Sequence, residues 1–173
     1  MKKIIPCLLL FALTVSACLP QNVQVPQSPL LPFLERKAGL IAYIALDGNV
    51  YVSDQAGRNL VQVTEDALIP ETESDPYRFY QYPTWSPDGT KLAFVGVSGQ
   101  GDSTLSEMFV KTIDEDGVDT IYSSGNMHPF YLYWSPDNQT MGFLSTDSTG
   151  QSIILQSVSA DGGDPTIIDT GAP

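Results

Sequence analysis

An internal repeat limits the folds open to this chain more than any other property of its 173 residues. Three short apolar segments, at residues 41–43, 92–94 and 141–143, begin 51 and 49 residues apart. Each is followed by a second apolar segment, at residues 50–52, 108–110 and 153–155, and then by a polar turn that ends in glycine. Repeats of roughly 40 to 50 residues built from short strands are typical of β-propellers.

The second and third repeats each open with a tryptophan block, and the two blocks lie 49 residues apart. In each block proline presets the backbone of a turn, and aspartate followed by glycine or asparagine tolerates the left-handed geometry of a tight hairpin. Tryptophan is large enough to fill the space between two sheets, with its N–H free to reach a backbone acceptor. We therefore predict that ten residues have a structural role in the repeat: Trp85, Ser86, Pro87, Asp88, Gly89, Trp134, Ser135, Pro136, Asp137 and Asn138.

The blocks and the strands that follow them, such as Lys91-Leu92-Ala93-Phe94, resemble the WD-like propeller repeat of the TolB family over residues 39–170. The propeller domains of prolyl-oligopeptidase-like proteins contain the same repeat. The resemblance implies an all-β fold of β-propeller blades, each a four-stranded antiparallel sheet, at residues 39–64, 80–123 and 129–170. The first repeat has no tryptophan block before Ile41, so we expect an atypical blade or one completed by a distant strand.

Propellers typically need four to eight blades to close around an axis, and only three repeats are visible here. At the spacing of the second copy, another tryptophan block would fall beyond Pro173. We therefore expect the chain to be a fragment of a longer propeller. The alternative is self-association through open propeller edges, because unpaired strand edges invite pairing with another chain.

The N-terminus has the anatomy of an export signal. Lys2 and Lys3 form a positive start, an apolar run extends from residue 4 to 15, and small residues directly precede Cys18. A transmembrane helix needs about 20 apolar residues, so the run is too short to span a bilayer comfortably.

The segment Val15-Ser16-Ala17-Cys18 resembles the bacterial lipobox, which implies cleavage after Ala17 and lipidation of Cys18. Residues 1–17 are then a lipoprotein signal peptide, and residues 18–38 form a Pro- and Gln-rich tether. We expect an exported protein that is lipid-anchored at the extracytoplasmic membrane surface, either in the periplasm or on the cell surface.

The formal charge of −12 disfavours nucleic acid as a partner, because an acidic surface repels phosphates. Removal of Lys2 and Lys3 with the signal would leave the mature chain two units more negative. An acidic surface also disfavours docking on anionic lipid by charge, so attachment to the membrane would have to be covalent or protein-mediated. Both cysteines fall within the first 18 residues, so processing leaves no pair for an internal disulfide.

Residues suited to catalysis or metal binding are few, and we predict no catalytic residue, no cofactor and no metal site. His128 is the only histidine, and we interpret it as a loop residue. The strained nucleophile elbow G-x-S-x-G is absent, so Ser98 is expected in a polar turn. The acidic cluster at residues 114–119 does not have the spacing of a calcium loop, and we interpret it as a solvated turn.

Aromatic residues gather before the two tryptophans, and alternation before a strand usually indicates packing within and between sheets. The alternative is a sugar- or peptide-binding rim that consists of Tyr80, Tyr82, Tyr131 and Tyr133.

The leading functional hypothesis is a non-catalytic, membrane-anchored module that binds or scaffolds protein partners, as the resemblance to the TolB family implies. Two alternatives are the propeller portion of a prolyl-oligopeptidase-like peptidase whose hydrolase domain is absent, and a lipoprotein that binds envelope polysaccharide.

Overall fold

The computed structural model describes residues 39–146 and 149–171, and every regular element in this part of the chain is a β-strand. No helix among these residues is long and apolar enough to cross a membrane. The predicted signal peptide (residues 1–17), the predicted lipid acceptor Cys18 and the tether (residues 18–38) lie outside the described residues.

The first sheet has three antiparallel strands in the order β1-β2-β3. They are β1 (Leu40–Ile44), β2 (Val50–Asp54) and β3 (Val61–Gln62). The β1–β2 hairpin turns through Gly48, whose φ of 84° is left-handed and favours glycine. Among the described residues β1 lies at the edge of this sheet, where its ladder partner is β2 alone.

A buried polar network fastens the segment after β3 to the first sheet. The N–H of Val50 donates to the Thr64 hydroxyl at 2.9 Å, and that hydroxyl donates to Oδ1 of Asn49 at 3.1 Å. The N–H of Ala67 donates to the same Asn49 oxygen at 3.0 Å. Asn49 and Thr64 are both buried, where polar groups are stable only when they are hydrogen-bonded. The network therefore holds in place the start of residues 63–76, the acidic connection that leads to the second sheet.

The second sheet is an antiparallel meander in the order β4-β5-β6-β7. Its strands are β4 (Tyr77–Trp85), β5 (Lys91–Gln100), β6 (Ser103–Thr112) and β7 (Asp119–Ser124). β5 pairs with β6 along its whole length. The acidic connection also bridges to the start of β4, where Leu68 and Arg78 exchange backbone hydrogen bonds of 2.7 and 2.9 Å.

The third sheet repeats the second. Its strands are β8 (Pro129–Trp134), β9 (Thr140–Thr146), β10 (Ile153–Ser159) and β11 (Thr166–Asp169), again in sequential order. The prediction of an all-β fold made of antiparallel sheets is confirmed, with four strands in the second and third sheets. The first sheet has three strands within the described residues, and it is the sheet whose sequence lacks a tryptophan block.

Two apolar clusters hold the sheets together. In β5, Leu92 and Phe94 point into a cluster with Val50 and Val52 of the first sheet. The alternate residues Ala93 and Val95 point into the other cluster, which includes side chains of the third sheet. Both faces of the second sheet are covered. The first half of β5 is therefore a continuous apolar run rather than an alternation of apolar and polar residues.

The tryptophan blocks form equivalent tight turns between the first two strands of the second and third sheets. In the second sheet, the Ser86 hydroxyl donates to Asp88 at 2.7 Å and accepts the N–H of Lys91 at 2.9 Å. The left-handed positions are Gly89, with φ 73°, and Asn138, with φ 61°. The N–H of Asp88 also donates to Oδ1 of Asn138 at 3.2 Å, so the two turns are in direct contact.

Candidate functional site

β4 and β8, the first strands of the second and third sheets, carry equivalent bulges. The register shifts between Gln81 and Thr84 in β4, and between Phe130 and Leu132 in β8. Within each bulge lies a tyrosine with positive φ: Tyr82 at 56° and Tyr131 at 51°. A bulky residue seldom adopts this conformation, which costs roughly 1 to 3 kcal/mol and persists only where the surrounding structure enforces it.

The bulges present tyrosine rings to solvent. Tyr82 is 46% exposed, Tyr131 is 63% exposed and Tyr133, two residues further along β8, is 69% exposed. The strands that carry them are neighbours, because the indole N–H of Trp134 in β8 donates to the carbonyl of Thr84 in β4 at 3.0 Å. We name Tyr82, Tyr131 and Tyr133 the tyrosine surface and regard it as the candidate binding site.

Tyr80, predicted as a member of the same rim, does not belong to this surface. Only 5% of it is exposed, and its ring packs edge-on against Phe94 and Phe109, with centroids 5.6 and 6.2 Å away. In a regular strand residues two apart share one face, so Tyr80 and Tyr82 were expected together. The bulge that begins after Gln81 breaks this alternation and separates them.

A charged cluster that the sequence did not indicate lies where the acidic connection meets β4. Nε of Arg78 lies 2.9 Å from the Tyr80 hydroxyl and 3.0 Å from Asp66, and an Arg78 terminal nitrogen lies 3.6 Å from Glu107. The Tyr80 hydroxyl also donates to Asp66. Burial raises the pKa of Tyr80, and the hydrogen bond to Asp66 raises it further. Asp66, Arg78 and Tyr80 line a cleft of about 240 Å³, but the guanidinium charge is already neutralised by the carboxylates of Asp66 and Glu107.

A serine–histidine contact is present, but its burial does not suit hydrolysis. Oγ of Ser106 lies 2.6 Å from Nδ1 of His128, which sits in the connection between β7 and β8. Ser106 is fully buried within β6, whereas a nucleophile must reach the atom that it attacks. The contact therefore ties the β7–β8 connection to the second sheet.

Ser98 was expected in a turn and lies instead within β5, opposite Arg78 on one side and Leu105 on the other. The prediction was wrong because Gly96 and Gly99, which suggested a turn, are accommodated inside a ten-residue strand. A Cβ on Gly96 would collide with the rings of Phe109 and Tyr80, and one on Gly99 would meet the ring of Tyr77 and a backbone oxygen. Glycine is therefore needed at these two positions because the neighbouring groups leave no room for a side chain.

The acidic residues Asp114, Glu115 and Asp116 are exposed in the connection between β6 and β7. The Lys111 ammonium donates to the backbone carbonyl of Glu115 and faces this turn. Across the described part of the chain, no three side chains of the His, Cys, Asp or Glu type are grouped so that they could hold a metal ion.

No protein-family model and no curated protein sequence matches the chain. Among solved structures, the chain is similar to a protein from Bacteroides ovatus assigned as a dipeptidyl aminopeptidase IV, with a TM-score of 0.55 and 15% sequence identity. The match covers 75% of this chain and 22% of that chain, so this chain spans less than a quarter of that protein's length. At this identity the likeness shows the fold alone, and it confirms the predicted architecture of antiparallel β-propeller blades.

Proposed function

We propose that this chain is an exported lipoprotein, held at the extracytoplasmic membrane surface through Cys18, whose propeller blades bind a protein partner without catalysing a reaction. The observation that best supports binding is the tyrosine surface. Tyr82, Tyr131 and Tyr133 are exposed on two neighbouring strands, and two of them are held in a strained backbone conformation at equivalent bulges. Strained positions and bulges concentrate where a protein aims side chains at a ligand.

Tyrosine suits a protein partner in particular. Its ring supplies a large, rigid contact area at a low cost in conformational entropy, and its hydroxyl remains available for hydrogen bonds. Aromatic residues are enriched at protein interfaces for these reasons. The net charge of −12 favours a partner whose contacting surface is neutral or basic.

The binding proposal is tested by site-specific photo-crosslinking in intact cells. A photoreactive amino acid replaces Tyr133 in one variant and Ile168 in another, because Ile168 is also well exposed, at 59%, but lies on β11 at the far edge of the third sheet. We expect one protein to be captured from position 133 and not from position 168, and Tyr82→Ala with Tyr131→Ala to reduce its capture at least tenfold.

Equal capture from both positions, or capture that the alanine substitutions leave unchanged, would overturn the assignment of the tyrosine surface. A captured product that resists protease and is digested by glycosidases would support the polysaccharide-binding alternative and exclude the protein partner at this surface.

The anchoring part of the proposal rests on the resemblance of residues 15–18 to a lipobox. Labelling cells with an alkyne fatty acid should mark the wild-type chain and the Cys7→Ser variant, whereas Cys18→Ser should lose the label and leave the membrane fraction. The Cys7 variant is the matched control, because it removes the other cysteine of the chain. Retained label on the Cys18 variant would disprove the anchor.

A second candidate is the propeller portion of a prolyl-oligopeptidase-like peptidase. The likeness to the Bacteroides ovatus protein favours it, although the match involves only 22% of that chain. The test is the gene sequence beyond the codon for Pro173. A G-x-S-x-G motif encoded there would favour the peptidase, and a reading frame without such a motif would count against it.

A further inference from the structure

We propose that residues 30–34 of this chain, Leu30-Leu31-Pro32-Phe33-Leu34, form the missing first strand of the first sheet by pairing with β1. The segment was expected to belong to the tether and lies outside the described residues. Three independent observations support the proposal: a buried indole N–H, the edge of the first sheet, and the spacing of the repeat.

The first observation concerns the two tryptophans. The indole N–H of Trp134 donates to the carbonyl of Thr84, which lies in the first strand of the preceding sheet. The indole nitrogen of Trp85 is buried, yet no acceptor within the described residues reaches it. By the equivalence of the repeats, its acceptor should lie in the first strand of the sheet that precedes β4, which is the first sheet. A buried N–H is stable only when it has a partner.

The second observation is the edge of β1. In the second sheet β5 lies between β4 and β6, and in the third sheet β9 lies between β8 and β10. β1 corresponds to these two central strands but pairs only with β2 among the described residues. A strand on its other side would give the first sheet the four strands of its neighbours and would satisfy the open backbone groups.

The third observation is the spacing of the sequence. Five residues connect β4 to β5, and five connect β8 to β9. The same connection before Leu40 places the end of the first strand at Leu34, the position that corresponds to Trp85 at the repeat distance of 51 residues. At this distance Pro32 corresponds to Pro83, which β4 accommodates in its bulge. Proline is tolerated there because an edge strand need not donate on its outer side.

The composition of the segment agrees with a strand. Four of its five residues are large and apolar, unlike the Gln- and Pro-rich stretch before it. Transferring the β4–β5 register places Leu34 opposite Ile41 and Phe33 opposite Ala42. The carbonyl of Phe33 then takes the place of the Thr84 carbonyl and accepts the indole N–H of Trp85.

Hydrogen exchange of the indole N–H groups, followed by NMR on the full chain in detergent, tests this assignment. The chain has two tryptophans, and Trp85→Phe identifies the signal of each. We expect Phe33→Asp combined with Leu34→Asp to accelerate exchange at Trp85 at least tenfold and to leave Trp134 unchanged. Val23→Asp with Val25→Asp is the matched control and should change neither signal.

Equal exchange at Trp85 in the wild type, the Phe33/Leu34 variant and the control would overturn the proposal. Protection of Trp85 that increases with protein concentration would also overturn it, because the strand would then come from a second copy of the chain.

The register is tested by disulfide trapping in a full chain that carries Cys7→Ser and Cys18→Ser. Cysteines at positions 34 and 41 should oxidise at least ten times faster than cysteines at positions 34 and 43, since only the first pair is directly opposite in the proposed ladder. Equal rates, or faster oxidation of the second pair, would contradict the register.

Discussion

At the scale of single residues, Trp134 joins two blades with one side chain. Its ring packs against the apolar cluster between the second and third sheets, and its N–H reaches the Thr84 carbonyl at 3.0 Å. Truncation of a large aromatic residue typically costs about 3 to 5 kcal/mol. Because Trp134 is only partly buried, we expect Trp134→Ala to lower the free energy of unfolding by about 3 kcal/mol in urea titration.

Trp134→Phe keeps an aromatic ring but removes the indole N–H together with the five-membered part of the indole. We expect it to cost about 2 kcal/mol, less than the alanine variant, because roughly 1 kcal/mol for the lost hydrogen bond adds to the loss of a few packing contacts. If the alanine variant were as stable as the wild type, the tryptophan would not join the blades.

Asp88 should make the stability of the turn between β4 and β5 dependent on pH. Burial raises the pKa of its carboxyl, but the hydrogen bonds that Thr90 and Ser86 donate outweigh burial, so the pKa falls below its usual value of 3.8. A group whose pKa is depressed on folding stabilises the fold above its unfolded pKa, and this contribution is lost as the pH falls through the folded value.

We therefore expect the wild type to lose stability below about pH 4 more steeply than Asp88→Asn, which cannot titrate there. Urea unfolding at several pH values between about 2.5 and 7 measures the slope. The control is Asp102→Asn, which changes an exposed carboxylate in the β5–β6 hairpin. A slope for Asp88→Asn equal to that of the wild type would show that Asp88 does not stabilise the turn.

At the scale of elements, the bulge in β8 should make the stability of the protein respond differently to glycine at Tyr131 and at Tyr133. Tyr131 has a φ of 51° within the bulge, whereas Tyr133 does not have positive φ, although the two are similarly exposed. Glycine adopts positive φ without strain but weakens an extended strand by roughly 0.5 to 1 kcal/mol. We expect Tyr133→Gly to destabilise the protein by about 1 kcal/mol more than Tyr131→Gly, measured by urea unfolding. The reverse order would show that the backbone at Tyr131 is not strained.

At the scale of the whole molecule, one face of the first sheet should promote self-association, because no other described sheet covers it. Ala42 and Ile44 pack towards the second sheet, so the alternate residues of β1 face the other way. On that face Ile41 is 47% exposed, although its equivalent Leu92 in β5 is fully buried. Clustered apolar surface of this kind favours association.

We expect Ile41→Asp to weaken concentration-dependent association at least fivefold in sedimentation velocity. Leu46→Asp should leave association unchanged, because Leu46 is fully exposed in the β1–β2 turn, away from this face. Association that is the same in both variants would place the contact elsewhere.

Features that depend on neighbouring residues could be predicted from the sequence, because their physical causes are local. The tryptophan blocks predicted tight turns since Gly89 and Asn138 tolerate positive φ, and the repeat spacing predicted three antiparallel sheets. The resemblance to a lipobox is equally local, and lipidation of Cys18 stays a prediction that awaits its labelling test.

Features that join distant segments could not be predicted in this way. Asp66 and Tyr80 are 14 residues apart, and only the packing of the acidic connection on β4 brings them together around Arg78. Ser106 and His128 are 22 residues apart, and they meet only because the connection between β7 and β8 packs against β6.

The sequence by itself determined the class of fold, the number of repeats and the positions of the two tryptophan-block turns, because backbone preferences and apolar periodicity act over a few residues. Only the tertiary structure decided which tyrosines face solvent. Tyr80 and Tyr82 share one alternation in the sequence, but a bulge formed by pairing with β5 places Tyr80 in the core and leaves Tyr82 exposed. Register between strands depends on contacts across the sheet, which the order of residues along one strand does not contain.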